Sequence, residues 1–235
     1  MSQRWYYRAC GALAIVGALL LFVGTWLHPS QTDPNESAAA FAEYAATSRA
    51  AWVAVHLIQL AGVAAMVVAA ILLARLIAGE RGAGWARVTT VLGCAGLAVA
   101  AVLQAVDGVA LKAMADLWVR AAPGDKASMY GATLAVRQTE IGLDALLALV
   151  LGATIVAYGL AWLTAADNGG LQGFFAIVVG VANGVAGFLM AVGGYSAPAM
   201  LATMVTGVLA IVWMVNAGVW AWRHAPSAVE PILSR

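Results

Sequence analysis

Six long apolar segments are the feature of the sequence that most limits how the chain can fold. They cover residues 9–27, 52–78, 87–112, 138–163, 171–192 and 198–222. Each is close to or above the roughly 20 residues that a helix needs to cross about 30 Å of hydrocarbon. None alternates with the period of two that membrane barrels show, so helices are predicted. With 63% hydrophobic and 10% charged residues, the sequence predicts an all-α integral membrane bundle of six transmembrane helices, forming a single domain over residues 1–235.

The basic residues predict how this bundle is oriented. Arg4 and Arg8 precede the first apolar segment and no small-residue cleavage site follows it, so we expect an uncleaved first span. If the N-terminus is inside, the cytoplasmic parts hold Arg4, Arg8, Arg75, Arg81, Arg87, Arg223 and Arg235, and the outer parts hold Arg49, Lys112, Arg120, Lys126 and Arg137. The excess predicts a multi-pass protein of the inner (cytoplasmic) membrane with both termini in the cytoplasm.

The predicted partner of the chain as a whole is the lipid bilayer. Eight tryptophans fall near the predicted span ends, where indole rings prefer to lie. They are Trp5, Trp26, Trp52, Trp85, Trp118, Trp162, Trp220 and Trp222. A net charge of +1 without a run of basic residues gives no indication of a nucleic-acid partner.

Two helical features are expected outside the membrane on the outer side. In the first outer loop, Asp33, Pro34 and Glu36 have the spacing of a helix start, and Phe41 and Tyr44 would share one face of the short interfacial helix that follows. Residues 113–121 continue the third span, a turn follows at 123–124, and Asp125 can cap the next helix. The sequence therefore predicts an extended helical hairpin between spans three and four.

Polar side chains gather in the outer halves of spans two, three and four. Apart from Lys112, they recur at spacings of three or four residues, so the residues of each span form a stripe on one helix face. The set is His56, Gln59, Gln104, Asp107, Lys112, Arg137, Glu140 and Asp144. Charges at this depth cost several kcal/mol unless they are paired or hydrated, so such residues usually mark a site. We expect them to line an outward-facing polar pocket that binds a ligand.

Several arrangements of these residues are open. Asp107 can pair with Arg137, and Lys112 can pair with Glu140 or with Asp116. The stripes can also form an ion-pair network that only locks spans three and four, and Lys112, Asp116 and Arg137 can simply reach the headgroups. His56 and Glu140 can instead exchange protons, since burial and a neighbouring carboxylate bring such groups into the working pH range.

No cofactor is predicted from the sequence. His28 lies at the outer end of span one, on the same side as His56, so a haem or metal ion held by His28 and His56 is a minor alternative. Cys10 and Cys94 have no ligand or redox spacing and are expected to be packing residues. No nucleophile, zinc-protease or phosphate-loop motif is present.

The fifth span carries small residues at helical spacing, which form one nearly bare face. They are Gly173, Ala176, Gly180, Gly184, Gly187 and Ala191. Such a face favours close helix packing. The packing can be within the chain, or it can hold a helix of a partner or a second copy through Gly180, Gly184 and Gly187.

The stretches HPSQTDPNESAAAFAEYA, WVAVHLIQLAG, VLQAVDGVALK and VRQTEIGL together cover the site-bearing part of the chain. Their combination resembles an uncharacterised domain-of-unknown-function family of small six-span bacterial integral membrane proteins. The resemblance implies a location and a fold but no activity, substrate or cofactor.

The leading functional expectation is a protein that binds or transports a small polar or amphipathic ligand at the pocket between spans two, three and four. One alternative is a membrane-embedded enzyme acting on a lipid-soluble substrate, with Glu140 and His56 as acid and base. Another is an accessory subunit of a membrane complex.

Overall fold

The computed structural model is a bundle of long helices and describes residues 3–29, 32–35, 37–165 and 170–226. Its helices are α1 (Gln3–Leu27), α2 (Ser37–Ala46), α3 (Arg49–Ile77), α4 (Gly79–Ala105), α5 (Lys112–Arg120), α6 (Lys126–Thr164), α7 (Gly170–Gly193) and α8 (Ala197–Arg223), with a π-helical turn at Val106–Leu111 between α4 and α5. The described residues contain no strand. The predicted all-α class is therefore confirmed.

Six of these helical stretches are long and apolar enough to cross a membrane, as the sequence predicts. The third stretch joins α4, the π turn and α5 into one rod of 42 residues, and α6 has 39 residues. Both exceed what a bilayer requires. The predicted hairpin between spans three and four is formed by their extra length, with the chain turning at 121–125.

The hairpin and α2 lie at one end of the bundle, which we call the hairpin end. The first turns of α1 and the last turns of α8 meet at the opposite end, where Arg8 lies over the Trp222 ring. There a Cβ on Gly11 would come within 2.8 Å of the Gly218 carbonyl oxygen. The described N- and C-terminal helices therefore share an end, as an even number of spans requires.

Two predicted helix starts differ in detail. Asp33 does not cap α2: its Oδ1 accepts hydrogen bonds from the backbone nitrogen and the side-chain nitrogen of Asn35, at 2.9 and 3.0 Å. This closes a local turn, and the helix begins only at Ser37. Asp125 does occupy the cap position of α6, but its side chain makes no capping hydrogen bond. Glu36 and Arg235, which entered the predictions above, lie outside the described residues.

Glycines set the closest helix contacts. A Cβ on Gly180 of α7 would lie 2.6 Å from the Gly152 carbonyl oxygen of α6, and a Cβ on Gly187 would lie 2.8 Å from the Ala145 carbonyl oxygen. The bare face of the fifth span is thus packed against α6 within the chain. Its use by a partner helix or a second copy stays a prediction.

Two groups of aromatic residues fill the bundle ends. Tyr158, Trp162 and Trp213 are buried in the larger core, and Phe41, Tyr44 and Trp52 are buried in a smaller cluster at the hairpin end. Trp52 and Trp162 were expected to lie at the headgroup level, but both are at most 2% exposed. They are packing residues rather than part of an aromatic belt.

Candidate functional site

The π turn in the third span positions the first site residue. Before it, buried positions of α4 recur every three or four residues, up to Ala100 and Leu103. The next buried position is Gly108, five residues on. A π turn takes in one residue more than an α-helical turn, so the buried face resumes one residue later. This turn holds Asp107.

Two contacts hold Asp107 beside α3. The indole Nε1 of Trp52 donates a hydrogen bond to the Asp107 carbonyl oxygen at 3.1 Å. A Cβ on Gly108 would lie only 2.8 Å from the Cβ of His56 and 2.9 Å from its Cγ. Glycine at this position lets the His56 ring lie against the helix backbone.

His56 meets the Asp107 carboxylate. Its Nδ1 lies 2.7 Å from the Trp52 carbonyl oxygen. A carbonyl can only accept, so Nδ1 carries the proton and Nε2 has the lone pair when the ring is neutral. Nε2 lies 3.0 Å from Oδ2 of Asp107. With both groups in these states, two hydrogen-bond acceptors face each other in a site where His56 is only 2% exposed.

His28 completes a group of three. Its Nδ1 lies 2.9 Å from the Pro29 carbonyl oxygen, which again leaves Nε2 with the lone pair. The His28 and His56 rings touch, with centroids 5.1 Å apart. One ligand atom from each of His28, His56 and Asp107 lies within 4.8 Å of the other two. We call these three residues the triad.

A second group lies around Glu140 of α6. Its Oε1 accepts hydrogen bonds from Arg137 Nη1 at 2.9 Å and from the Tyr195 hydroxyl at 2.6 Å. The rings of Phe41, Tyr44 and Tyr195 lie 5.0–5.6 Å from the guanidinium carbon of Arg137. Arg137 and Glu140 are each 3% exposed.

Tyr195 and His28 lie outside the spans, and the shifts of their pKa values show that the triad and the Glu140 group interact electrostatically. Burial raises the pKa of the Tyr195 phenol well above its usual value, and the charges of Glu140, Asp144 and Asp107 add to this. Burial lowers the pKa of His28, which the charge of Asp107 partly offsets, and the nearby His56 and Arg137 lower it further. His28 is therefore a neutral imidazole at pH 7, the form that binds metals.

Burial also raises the pKa of the Tyr44 phenol, and Arg137 opposes this shift. Tyr44 thus acts as a neutral group above the guanidinium. The triad, the Glu140 group and Asp144 are close enough to interact electrostatically, and we call them together the polar cluster.

The polar cluster has more acceptors and more negative charge than its own residues satisfy. Asp107, Glu140 and Asp144 contribute three carboxylates, and Arg137, which pairs with Glu140, is the cation among these residues. When all four are ionised and the histidines are neutral, the net charge of this set is −2. Two buried acceptor atoms of the cluster, His56 Nε2 and Glu140 Oε2, have no hydrogen-bond partner among the described residues, and neither does Oε1 of the predicted site residue Gln104.

The structure changes some of the predicted pairings. Asp107 pairs with His56 rather than with Arg137, because the π turn directs it toward α3. Arg137 pairs with Glu140 of its own helix.

Other predicted site residues lie apart from the polar cluster's centre. Lys112 Nζ bonds Asp116 at 2.6 Å and the Ala45 carbonyl oxygen at 3.2 Å, so it ties the hairpin to α2. Of its two predicted partners, Asp116 is the one observed. Gln59 packs against Gly24 of α1, where an added Cβ would lie 2.6 Å from Gln59 Cγ.

Sequence reasoning missed three contributors. Tyr195 lies in the short connection between α7 and α8, which has no charged residue to draw attention to it. The connection between α7 and α8 lies at the same end of the bundle as the start of span four. Counting the spans would therefore have placed Tyr195 near the predicted site. Trp52 and Tyr44 were interpreted as interfacial aromatics, whereas both are buried against the polar cluster.

A small pocket opens beside the triad. It has a volume of about 60 Å³ and is lined by Arg49, Val53, Gly108, Val109, Lys112 and Ala113. Pockets for drug-sized organic molecules typically have about 300–1,000 Å³. The pocket is too small for such a molecule, and none of the three triad residues lines it.

Comparisons with known proteins give no match, so the assignment of a function depends on the geometry of the site. No protein-family model matches the chain, and neither a curated protein nor a solved structure matches it. The resemblance to a family of six-span bacterial membrane proteins stays a prediction.

Proposed function

We propose that this membrane protein binds a divalent transition-metal ion, such as zinc, with His28, His56 and Asp107 as its ligands. One observation carries the proposal: Nε2 of buried His56 lies 3.0 Å from Oδ2 of Asp107, while the opposite ring nitrogen is committed to a backbone carbonyl. Two ligands on one tetrahedral zinc, each about 2.0–2.1 Å from it, are about 3.3 Å apart. The observed pair is close to that separation.

The surroundings of the triad support a cation. Three buried carboxylates beside one arginine are costly to keep ionised, and a divalent ion can neutralise them in place of protons. Both histidines also have the outer-shell support that is typical of metal sites. Each donates its Nδ1 proton to a backbone carbonyl, that of Trp52 or of Pro29, which fixes the tautomer and directs Nε2 into the site.

The number of ligands favours a functional site over a purely structural one. Structural zinc sites are closed by four protein ligands, whereas three leave a coordination position open for water or a substrate. The ligand of the predicted pocket is then a metal ion rather than a small organic molecule. A haem fits less well, because it would have to lie between the two histidine rings, whose centroids are 5.1 Å apart.

A metal-dependent hydrolase of the membrane is the second candidate. It is favoured by Glu140 of the same polar cluster, whose Oε2 is buried and has no hydrogen-bond partner within the ranges that the structure describes. A carboxylate near an open metal position can accept a proton from metal-bound water.

We further propose that the hairpin end faces the outside of the inner membrane, as the distribution of basic residues indicates.

Zinc and cobalt binding to the purified protein in detergent tests the proposal. We expect one equivalent of metal per chain, with ligand-field absorption of the cobalt form typical of mixed nitrogen and oxygen ligands. His56→Ala and Asp107→Asn should each weaken binding by 10-fold or more.

His224→Ala is the matched control, because it is an exposed histidine that makes the same contact with a tryptophan carbonyl four residues earlier, at 2.9 Å. It should bind metal like the wild type. Absence of stoichiometric binding, or equal affinity of the His56→Ala and His224→Ala variants, would reject the metal site. It would leave His56 and Asp107 as a proton-bonded ion pair.

A further inference from the structure

One edge of the Arg137 guanidinium has no hydrogen-bond partner in the described part of the chain. Arginine has five N–H donors, and here Nη1 donates to Glu140. Nε and Nη2 are buried and make no hydrogen bond to the described residues. These two nitrogens point the same way and form the parallel pair of donors that binds a carboxylate or a phosphate group bidentately.

The guanidinium is held in place without using that edge. Glu140 fixes Nη1, and Tyr195 donates to the same carboxylate oxygen. The rings of Phe41, Tyr44 and Tyr195 lie around the cation. A donor pair that is fixed beforehand loses less entropy when it binds a ligand.

Leaving this edge empty is costly. Arg137 is 3% exposed, and each buried donor without a partner costs free energy comparable to a lost hydrogen bond. Native structures rarely leave such groups unmatched, so an unpaired buried edge calls for an explanation. An oxyanion supplies two acceptors at the required spacing.

We infer that the Nε/Nη2 edge of Arg137 is the recognition group of an oxyanion site, which binds the carboxylate or phosphate group of a ligand. The inference rests on the proposed metal site, because the carboxyl groups of Glu140 and Asp107 near Arg137 disfavour an anion until a divalent ion is bound. The protein then has a second ligand, an oxyanion, which binds after the metal ion. Its source is either a free solute or the phosphate of a lipid headgroup.

Titration of the zinc-loaded protein with two probes tests the inference and separates the sources. The first probe is inorganic phosphate. The second is a short-chain phosphatidylglycerol, with the diacylglycerol of the same chains as its control. Saturable binding of phosphate indicates a solute site, and binding of the phospholipid but not of phosphate or diacylglycerol indicates a headgroup site. Either result supports the inference if it requires both zinc and Arg137.

Arg137→Lys retains the charge but removes the bidentate edge, so we expect oxyanion affinity to fall at least 10-fold while zinc affinity is unchanged. Arg120→Lys is the matched control on the exposed hairpin and should bind like the wild type. Should Arg137→Lys fail to fold, the wild type suffices: the ¹⁵N-bound Nε proton signal of Arg137 should move downfield when the oxyanion is added.

Each failure has its own signature. Zinc binding that depends on His56, without any oxyanion binding or Nε shift, overturns this inference and leaves the proposed function intact. Oxyanion binding that is equal in the Arg137→Lys and Arg120→Lys variants also overturns it. Absence of zinc binding rejects the proposed function and, with it, the metal-dependent oxyanion site.

Discussion

Gly108→Ala offers a sensitive test of how the triad is built. The added Cβ would lie 2.8 Å from the Cβ of His56 and 2.9 Å from its Cγ. These atoms are fixed to the α3 backbone, so no rotation of a flexible side-chain end relieves the contact. The two helices must separate by about 0.6 Å to reach ordinary contact, and overpacking of this kind typically costs about 1–3 kcal/mol.

Part of this cost is offset, because alanine is better than glycine in a helix by about 1 kcal/mol. The net loss of stability should therefore be small, about 0–2 kcal/mol. The larger effect should be on metal binding, because moving His56 disturbs both its carbonyl hydrogen bond and its approach to Asp107. Disturbing such supporting contacts typically weakens metal affinity 10- to 100-fold, which is about 1.4–2.7 kcal/mol.

The assay is a competition titration of zinc against a chelating dye, with the melting temperature measured in parallel. Gly142→Ala is the control, since an added Cβ there meets nothing within 4 Å. It should keep the wild-type zinc affinity and melt at the same or a slightly higher temperature. Equal zinc affinity of the Gly108→Ala and Gly142→Ala variants would refute the argument that Gly108 positions His56.

Three further predictions concern the supporting structure. Trp52→Phe removes the hydrogen bond to the Asp107 carbonyl oxygen and should lower stability by about 1 kcal/mol, with weaker zinc binding; an unchanged melting temperature and zinc affinity would contradict this. Gly180→Ala places a Cβ 2.6 Å from the Gly152 carbonyl oxygen, whereas an added Cβ on Gly184 meets nothing within 4 Å. After the gain of about 1 kcal/mol from alanine in a helix, thermal melting should show a net loss of about 0–2 kcal/mol for Gly180→Ala and no loss for Gly184→Ala. For orientation, Gly124→Cys in a Cys94→Ala background should react with a membrane-impermeant maleimide added to intact cells; labelling only after lysis would reverse the proposed sidedness.

The sequence was sufficient to predict the spans and the hairpin. Long apolar stretches have few alternatives once backbone groups must be satisfied in lipid. The depth of the polar residues in the membrane could also be predicted, because each residue advances a helix by about 1.5 Å along its axis. His56, Asp107 and Glu140 could thus be assigned to the same end of the bundle without knowledge of their contacts.

The pairings were harder to predict, since they depend on rotation about each helix axis. A pairing of Asp107 with Arg137 was one of the open arrangements, whereas the π turn directs Asp107 toward His56 of α3. A π turn has no strong local sequence signal, and Gly108 alone does not imply one. Tyr195 was missed for a different reason: its role comes from a loop contact 55 residues away from Glu140.

The five-residue interval between Leu103 and Gly108 makes the triad depend on chain length as well as on residue type. Wound as a regular α-helix at ~100° per residue, these five residues would turn Gly108 by about 140° away from the face of Leu103. Asp107 would then no longer face His56, even though every ligand remained in the gene. Loss of one codon in the interval would restore a uniform helix and bring Gly108 back to within about 40° of that face, but without the wide turn that holds Asp107. Related chains can therefore gain or lose this turn through one insertion or deletion, while their six spans stay the same.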